Sequence, residues 1–458
     1  MRRTTPTAVV ALGVVGSTCV AVAGYGIGAV PASLRDSWLH DTTTGRAVSA
    51  VACAIGLALM LGCWWRLRAA TTGVVLVAAA AWSVPLLLTV PLFSRDVYAY
   101  AGQAHLVDVG LDPYTHGPAD APGALADEVD DVWSTARSPY GPVFLQLAAL
   151  LVRGQHVISA VVLLRLLAVI GLVLVAWGIC RLTAEPSRAL WLAVANPLVL
   201  LHGVGGAHND LLMAGLLTAG LALAAAAGRV DALSSRDTGL ALATAGIVLA
   251  ALVKLPAVAG LAFLPFLVPT ARVRAATVVA VSAVVVTWLL TASSTFGWGW
   301  LHTLDAGSAR RSLLSVSTGV GVLVSQVAGS GAVDVAHTVG LVIAAAAGLV
   351  LLVRARQIGA LRALGLTLLI VVALSPVVQP WYLLWALPVL AVVAGPRLAL
   401  GLAATSALLC VLVLPTGRHV IRPPLYGVPA LLVVVAAYAA ARAPESACEQ
   451  PAAGYAGQ

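Results

Sequence analysis

Long apolar stretches separated by short polar segments run along almost the whole chain. The first follows Met1 and two arginines and covers about residues 7–30, and its length predicts an uncleaved membrane helix instead of a signal peptide. Further spans are predicted near residues 46–65, 70–92, 156–180, 188–203, 209–227, 239–253, 256–268, 273–292, 335–353, 361–376, 380–395, 398–414 and 424–441. Because a straight crossing needs roughly 20 residues, the pattern predicts an all-α polytopic membrane protein with about 12 to 14 transmembrane helices.

Arginines between the apolar runs predict how the chain is oriented. If the N-terminus is cytoplasmic, the turns that fall inside carry Arg66, Arg68, Arg181, Arg188, Arg229, Arg236, Arg272, Arg274, Arg354, Arg356, Arg362, Arg397 and Arg442. This alternation follows the positive-inside rule and places loops 94–138, 293–334 and 416–423 outside. We therefore expect one transmembrane domain over 1–442, a disordered cytoplasmic tail over 443–458, and both termini inside.

Composition supports the membrane class and excludes others. The chain has 60% hydrophobic and 10% charged residues, whereas a soluble domain has about 25% charged residues. The net charge of +8 comes mostly from arginines that mark topology, so it does not indicate a nucleic-acid-binding surface. The six cysteines are scattered and form no CxxC pair, which favours neither a disulfide framework nor a zinc site.

The stretch PLFSRDVYAY at 91–100 ends an apolar run and opens the first large outer loop. An ionised side chain at the end of a membrane helix is costly unless it has a function, so Asp96 is the first candidate for chemistry. Short interfacial helices are predicted over 95–108 and 124–133, with Asp96, Tyr100 and Gln103 on one helical face. The acidic residues of 120–131 are interpreted as a solvated surface.

The second large outer loop combines aromatic and basic residues. It contains the aromatic segment FGWGW at 296–300, followed by Arg310 and Arg311. Tryptophan is typical of the membrane interface, so this loop is predicted to cover a lipid headgroup.

Three polar clusters interrupt apolar runs, and the predicted topology places all of them on the same side as Asp96. They are GGAHND at 205–210, VKLP at 253–256 and SPVVQPWY at 375–382. Their common position indicates a cavity that opens to the exterior. A structural explanation is open for each: Asn209 and Asp210 suit a helix N-cap, Lys254 can extend to the interface, and Gln379-Pro380 suits a helix start. Lys254 is nevertheless the sole lysine among 26 basic residues, and a compact ammonium suits a phosphate oxygen.

These motifs, taken in order, resemble a known family of membrane enzymes. The chain has an outward-facing acidic residue after an early membrane helix, and in this feature it resembles the GT-C class of lipid-sugar-dependent glycosyltransferases. Over residues 80–395 the chain resembles the actinobacterial polyprenol-phosphomannose-dependent α-1,6-mannosyltransferases, which build the mannan backbone of lipomannan. The resemblance is carried by DVYAY at 96–100, DPY at 112–114, SPYGP at 138–142, GAHND at 206–210, VKLP at 253–256 and QPWY at 379–382.

The resemblance implies a reaction and a role for each candidate residue. The donor is β-mannosyl phosphopolyprenol, the acceptor a lipid-anchored α-1,6-mannan, and the reaction inverts the anomeric carbon. Asp96 is the expected general base on the acceptor 6-hydroxyl. The remaining roles are phosphate binding by Lys254, Arg95, Arg310 and Arg311, hydroxyl binding by His208, Asn209, Asp210 and Gln379, and sugar stacking or binding by Tyr98, Tyr100, Tyr140, Trp381 and Tyr382.

Neither a metal nor a cofactor is expected. Asp96 follows Arg95 and has no adjacent second carboxylate, so a paired-acid metal site is not indicated, and a monophosphate leaving group does not demand a divalent cation. Two alternatives remain open: transfer of a pentose such as arabinofuranose from the same type of lipid phosphate, and a lipid-sugar transporter or flippase. Transport is disfavoured because no internal repeat is evident and the polar clusters favour one side.

Overall fold

The computed structural model describes residues 5–269, 271–303, 312, 314–329 and 331–417. The α-helices within these ranges, numbered in chain order, are α1 (Pro6–Ile27), α2 (Trp38–Asp41), α3 (Thr43–Arg66), α4 (Thr72–Leu87), α5 (Asp96–Asp108), α6 (Asp131–Ser134), α7 (Pro142–Val152), α8 (Val157–Leu182), α9 (Ser187–Ala193), α10 (Asn209–Ala227), α11 (Leu233–Val253), α12 (Ala259–Phe263), α13 (Arg272–Ala292), α14 (Val316–Ala328), α15 (Ala332–Val353), α16 (Ala355–Ile358), α17 (Ala360–Leu374), α18 (Leu387–Val393) and α19 (Pro396–Leu412).

The predicted all-α polytopic membrane architecture is confirmed. By length and composition, seven segments in the described ranges can cross a membrane: α1, α3 with the turn that follows it, α8, α10, α11, α13 and α15. Shorter apolar helices of 10–17 residues are α4, α7, α14, α17, α19 and the segment Leu255–Phe266. The last predicted span at 424–441, Arg442 and the tail after 442 lie outside the described residues.

Three predicted spans are wrong as continuous α-helices, and proline lies within each of them. The stretch 256–268 consists of a 3₁₀-helix at Leu255–Val258, α12 and a second 3₁₀-helix at Leu264–Phe266. The stretch 188–203 divides into α9 and a π-helix at Val199–Gly205, since Pro197 lacks the amide hydrogen that an α-helix requires. The Asn196 side chain occupies this break and donates to the Ser406 hydroxyl (2.9 Å). The stretch 380–395 begins as a 3₁₀-helix at Pro380–Trp385 and continues as α18. The breaks in 188–203 and 380–395 place irregular backbone inside the protein.

The first outer loop also differs from its prediction. The helix expected over 95–108 is present as α5, but the one expected over 124–133 is not. Turns occupy 124–128, and only the four-residue α6 follows, capped by the Asp130 carboxylate. The helix α7, which is not among the predicted spans, runs beside α5, and Arg153 just beyond its end pairs with Asp108 at the end of α5 (3.2 Å).

Small residues allow the helices around the site to pack closely. Gly171 of α8 and Gly215 of α10 face each other, and a Cβ atom at Gly171 would lie 2.3 Å from the Leu211 carbonyl oxygen. At a second contact, a Cβ at Gly141 would lie 2.1 Å from the Leu252 carbonyl oxygen. Close backbone approach through small residues is typical of membrane helix interfaces. These contacts set the positions of the beginnings of α7 and α10 and of the end of α11.

Candidate active site

Asp96 is the first residue of α5, directly after the irregular segment 88–95. Its backbone N–H donates to the Ser94 hydroxyl (3.0 Å), and its side chain is 20% exposed. A carboxylate at a helix N-terminus is favoured by the helix dipole, so the position suits an ionised aspartate. Phe93, three residues earlier, has a positive φ of 62°, a strained conformation for a bulky residue.

His208 links Asp96 to an aromatic cluster. Its Nδ1 atom lies 3.8 Å from Asp96 Oδ2 and 3.3 Å from the Tyr100 hydroxyl, and its ring stacks on Trp381 with centroids 3.8 Å apart. Tyr140 meets Tyr100 edge to face at 5.0 Å. Burial, together with the nearby His202 and Lys254, lowers the pKa of His208 well below its usual range. The imidazole ring of His208 is therefore neutral.

Lys254 follows the last residue of α11 and forms the second charged centre. Its Nζ atom lies 2.7 Å from Asp210 Oδ1, and the same oxygen accepts a hydrogen bond from the Trp385 indole N–H (2.5 Å). Nζ also lies 4.6 Å from the centroid of the Tyr382 ring, which stacks on Trp385 at 4.3 Å. Burial alone would lower the pKa of Lys254, but the Asp210 carboxylate outweighs it, so the pKa is raised and the ammonium remains charged.

The two charged centres share one aromatic wall. Trp381 contacts His208 on the Asp96 side, and its neighbour Tyr382, 6.3 Å away and nearly perpendicular, contacts Lys254. Residues from 96–100, 208–210, 254 and 381–385 thus meet at one place, although up to 289 positions of the chain separate them. A carboxylate that can take a proton and an ammonium that can hold an anion are the groups needed to transfer a glycosyl residue from a phosphate to a hydroxyl.

Comparisons with known proteins identify the family of the chain. A family model described as "Alpha-(1->6)-mannopyranosyltransferase, N-terminal domain" matches residues 10–271, more than half of the chain. The chain belongs to this mannosyltransferase family. A second model, described as the MptB C-terminal domain, matches residues 312–443. No solved structure gives a significant match.

Curated relatives of this mannosyltransferase come from actinobacteria. Alpha-(1->6)-mannopyranosyltransferase A of Mycobacterium tuberculosis is 34% identical over 442 residues, with 89% of this chain and 84% of the relative covered. A probable alpha-(1->6)-mannopyranosyltransferase of Mycolicibacterium smegmatis is 31% identical over 438 residues, covering 82% and 77%. Alpha-(1->6)-mannopyranosyltransferase B of Corynebacterium glutamicum is 32% identical over 375 residues, covering 74% and 62%.

Two of the predicted site residues of this mannosyltransferase lie in a separate network. The Arg95 guanidinium donates to the Glu128 carbonyl (2.9 Å) and carboxylate (3.2 Å) and lies over the Tyr98 ring at 4.9 Å. The Tyr98 hydroxyl donates to the Ala29 carbonyl (2.6 Å), and only 1% of the residue is exposed. The structure thus does not bring Arg95 and Tyr98 to Lys254, and Tyr98 has no free ring face for a sugar.

The remaining predicted site residues are Gln379, Asn209, Arg310 and Arg311. Gln379 is partly exposed and precedes the 3₁₀-helix Pro380–Trp385. Asn209 is buried, and within the described part of the chain neither its amide oxygen nor its amide nitrogen has a hydrogen-bond partner. Arg310 and Arg311 lie outside the described residues. Among the residues that are described, no group of three or more His, Cys, Asp or Glu is arranged to hold a metal ion.

Three residues with evident roles were missed at the level of sequence. Trp385 lies three positions after Tyr382, a spacing at which side chains on a helix meet, so its position beside Tyr382 could have been predicted. In the structure its indole N–H is a second donor to Asp210. His202 is fully buried in the π-helix, with its ring 5.6 Å from Trp381, and a histidine within an apolar run is a recognisable signal. Glu128 was counted with the solvated acids, but it is 4% exposed and pairs with Arg95 and with Arg35.

Proposed function

We propose that the protein transfers mannose from polyprenyl phosphomannose to the 6-hydroxyl of an α-1,6-mannan acceptor, with inversion at the anomeric carbon. The observation that carries the proposal is that the aromatic wall of Trp381 and Tyr382 joins Asp96 and Lys254. Trp381 stacks on His208, which lies beside Asp96, and Tyr382 contacts Lys254. The printed names of the relatives supply the linkage and the sugar, since each is an alpha-(1->6)-mannopyranosyltransferase.

In the proposed reaction Asp96 accepts the proton of the acceptor 6-hydroxyl as that oxygen bonds to the anomeric carbon. The bond between this carbon and the donor phosphate oxygen breaks, and both of its electrons leave with polyprenyl phosphate. The leaving group thereby changes from a phosphodiester to a phosphomonoester, so negative charge grows on it. The Lys254 ammonium, held by Asp210, stabilises that charge. General base catalysis of this kind contributes about 10² to 10⁴ in rate.

A lipid-borne donor fits the surroundings of Lys254. Leu255 follows it directly, Val258 lies four positions after it, and the two are 44% and 45% exposed, so apolar surface lies near the charged group. A polyprenyl chain has a place to lie against this surface while its phosphate contacts the ammonium. Asn209 and the second oxygen of Asp210 retain unused hydrogen-bonding capacity within the described residues, which hydroxyl groups of the sugars can use.

We propose that the site faces the exterior of the plasma membrane, with both termini in the cytoplasm. The arginine pattern between the spans supports this orientation. Single cysteines introduced at the exposed positions Asp127 and Asp231 test it, because a membrane-impermeant thiol reagent applied to intact cells should label the first and not the second. Labelling of the second alone would invert the topology.

The activity is tested in membranes that contain the wild-type protein or Asp96→Asn at equal abundance. The donor is polyprenyl phosphomannose and the acceptor a short α-1,6-mannoside. We expect the variant to lose at least about 100-fold in rate, because asparagine keeps the size of the side chain but cannot accept the proton. Asp127→Asn, an exposed change in the same loop, should remain fully active.

Two results would contradict the proposal. Full activity of Asp96→Asn would remove Asp96 as the base. A wild-type protein that uses a polyprenyl-phosphate pentose but not polyprenyl phosphomannose would exclude mannose as the sugar, and movement of a lipid-linked sugar across vesicles without any transfer would instead support transport.

A further inference from the structure

Arg165 lies inside the membrane span α8 and has no role in the proposed reaction. It is the ninth residue of a 26-residue helix, roughly 12 Å from its start, and is 1% exposed, so it does not extend to the interface. Within the described part of the chain no carboxylate lies within ion-pair distance of it. A buried arginine in a membrane span is costly and therefore indicates a function.

The partners of Arg165 are backbone carbonyls at the ends of two helices. Nη1 donates to the carbonyls of Leu87 (3.1 Å) and Thr89, and Nη2 donates to the carbonyl of Gly205 (2.9 Å). Leu87 is the last residue of α4, and Gly205 is the last residue of the π-helix. Terminal carbonyls lack partners within their helix and carry partial negative charge. Two helix ends thus compensate the guanidinium in place of an acid.

These two helix ends lead directly to the candidate site. The chain runs from Thr89 through Phe93 to Asp96, and from Gly205 through Ala207 to His208. Phe93 and Ala207 are the only non-glycine residues with positive φ in the described ranges, at 62° and 56°. Strained backbone of this kind persists only where its surroundings hold it.

We infer that Arg165 is a positioning residue that ties these two segments together and so holds Asp96 and His208 in their mutual geometry. Its planar fork donates to both segments at once, whereas the single nitrogen of a lysine is a point donor that cannot replace the fork. The segments also touch directly, since a Cβ atom at Gly206 would lie 3.1 Å from the Leu92 carbonyl oxygen. This inference rests on the proposed function for the reaction that the geometry serves.

The test compares Arg165→Met and Arg165→Lys with the wild type, and uses Arg153→Met as a matched control. Arg153 is a largely exposed arginine just before α8 that pairs with Asp108. Two quantities are measured: kcat and KM for mannose transfer, and amide hydrogen exchange of the peptides that cover 88–95 and 205–210.

For Arg165→Met we expect kcat to fall about 10- to 100-fold while KM for the donor changes less than about threefold, because small misplacement of reacting groups costs rate more than binding. Exchange should rise in both peptides and remain unchanged in α13 and α15. Arg165→Lys should fall between the wild type and the methionine variant in both measurements, and the control should match the wild type.

The inference is overturned if Arg165→Met keeps kcat within about threefold, or if exchange rises throughout the chain in the lysine variant, which would show a general loss of folding. A fall in kcat with unchanged exchange in both peptides would also overturn it. The exchange measurement needs no substrate, so it remains decisive even if the wild type fails to use polyprenyl phosphomannose and the proposed function is rejected.

Discussion

Removal of Lys254 separates its structural role from its chemical role. The ammonium lies 2.7 Å from the carboxylate of Asp210, whose side chain is fully buried. Among the described residues, Lys254→Met leaves that carboxylate with the Trp385 indole as its one remaining hydrogen-bond partner. Breaking a buried pair by deleting one member costs about 3–5 kcal/mol, because the remaining charge is uncompensated. We therefore expect Lys254→Met to be clearly less stable than the wild type.

The double variant Lys254→Met, Asp210→Asn removes the uncompensated charge. Since asparagine keeps an oxygen for the indole N–H, most of the lost stability should return. Activity should not return, because no cation is left to stabilise the leaving phosphate, a contribution of about 10² to 10³ in kcat. Thermal unfolding of the purified protein in detergent reports stability, and mannose transfer at equal protein concentration reports activity.

Two results would contradict the predicted roles of Lys254. If the double variant regains both stability and activity, Lys254 acts only as a counter-ion for Asp210, and the phosphate role is wrong. If Lys254→Met is as stable as the wild type, the pair is not buried in the way that the 2.7 Å contact and the zero exposure of Asp210 indicate.

Three further predictions follow from packing, loop anchoring and metal chemistry. Gly141→Ala should destabilise the protein strongly in thermal unfolding, because its Cβ would lie 2.1 Å from the Leu252 carbonyl oxygen, whereas Gly62→Ala meets nothing within 4 Å and should be neutral. Glu128→Gln removes the ion pairs to two arginines that hold the first outer loop, so it should speed proteolysis within 94–138, whereas Asp127→Asn should not. Equal digestion of the two variants would show that these ion pairs do not hold the loop. Excess chelator should leave mannose transfer within about twofold, because a monophosphate leaving group is served by the lysine; loss of activity that Mn²⁺ or Mg²⁺ restores would contradict this.

Much of the candidate site could be predicted because membrane topology assigns each polar segment to one of the two sides of the membrane. Once the arginines place the turns in alternation, the polar residues of 94–100, 205–210, 253–256 and 375–382 fall at one end of their helices. The contacts of Asp96 with His208, and of Lys254 with Asp210, agree with that placement. Apolar pattern and side-chain cost are local properties, so sequence alone carries them.

The fold of the first outer loop could not be predicted in this way. Arg95 is adjacent to Asp96 but turns to Glu128, whose burial depends on a fold of the loop that local patterns do not reveal. The helix expected over 124–133 is replaced by turns, because the loop packs back onto α5: Val129 lies close enough that a Cβ at Gly102 would be 2.7 Å from its side chain. Tertiary contacts outweigh helix propensity in such a segment.

Residue type and spacing are enough to predict the all-α membrane class, the arginine alternation and the chemical character of Asp96, His208 and Lys254. The packing of the folded chain, by contrast, establishes that Asp210 pairs with Lys254, that Trp381 and Tyr382 join the two charged centres, and that Arg165 donates to the carbonyls of two helix ends beside them. Those facts depend on which carbonyls and ring faces lie within about 3 to 5 Å across distant segments, and such distances are set by packing of the whole chain.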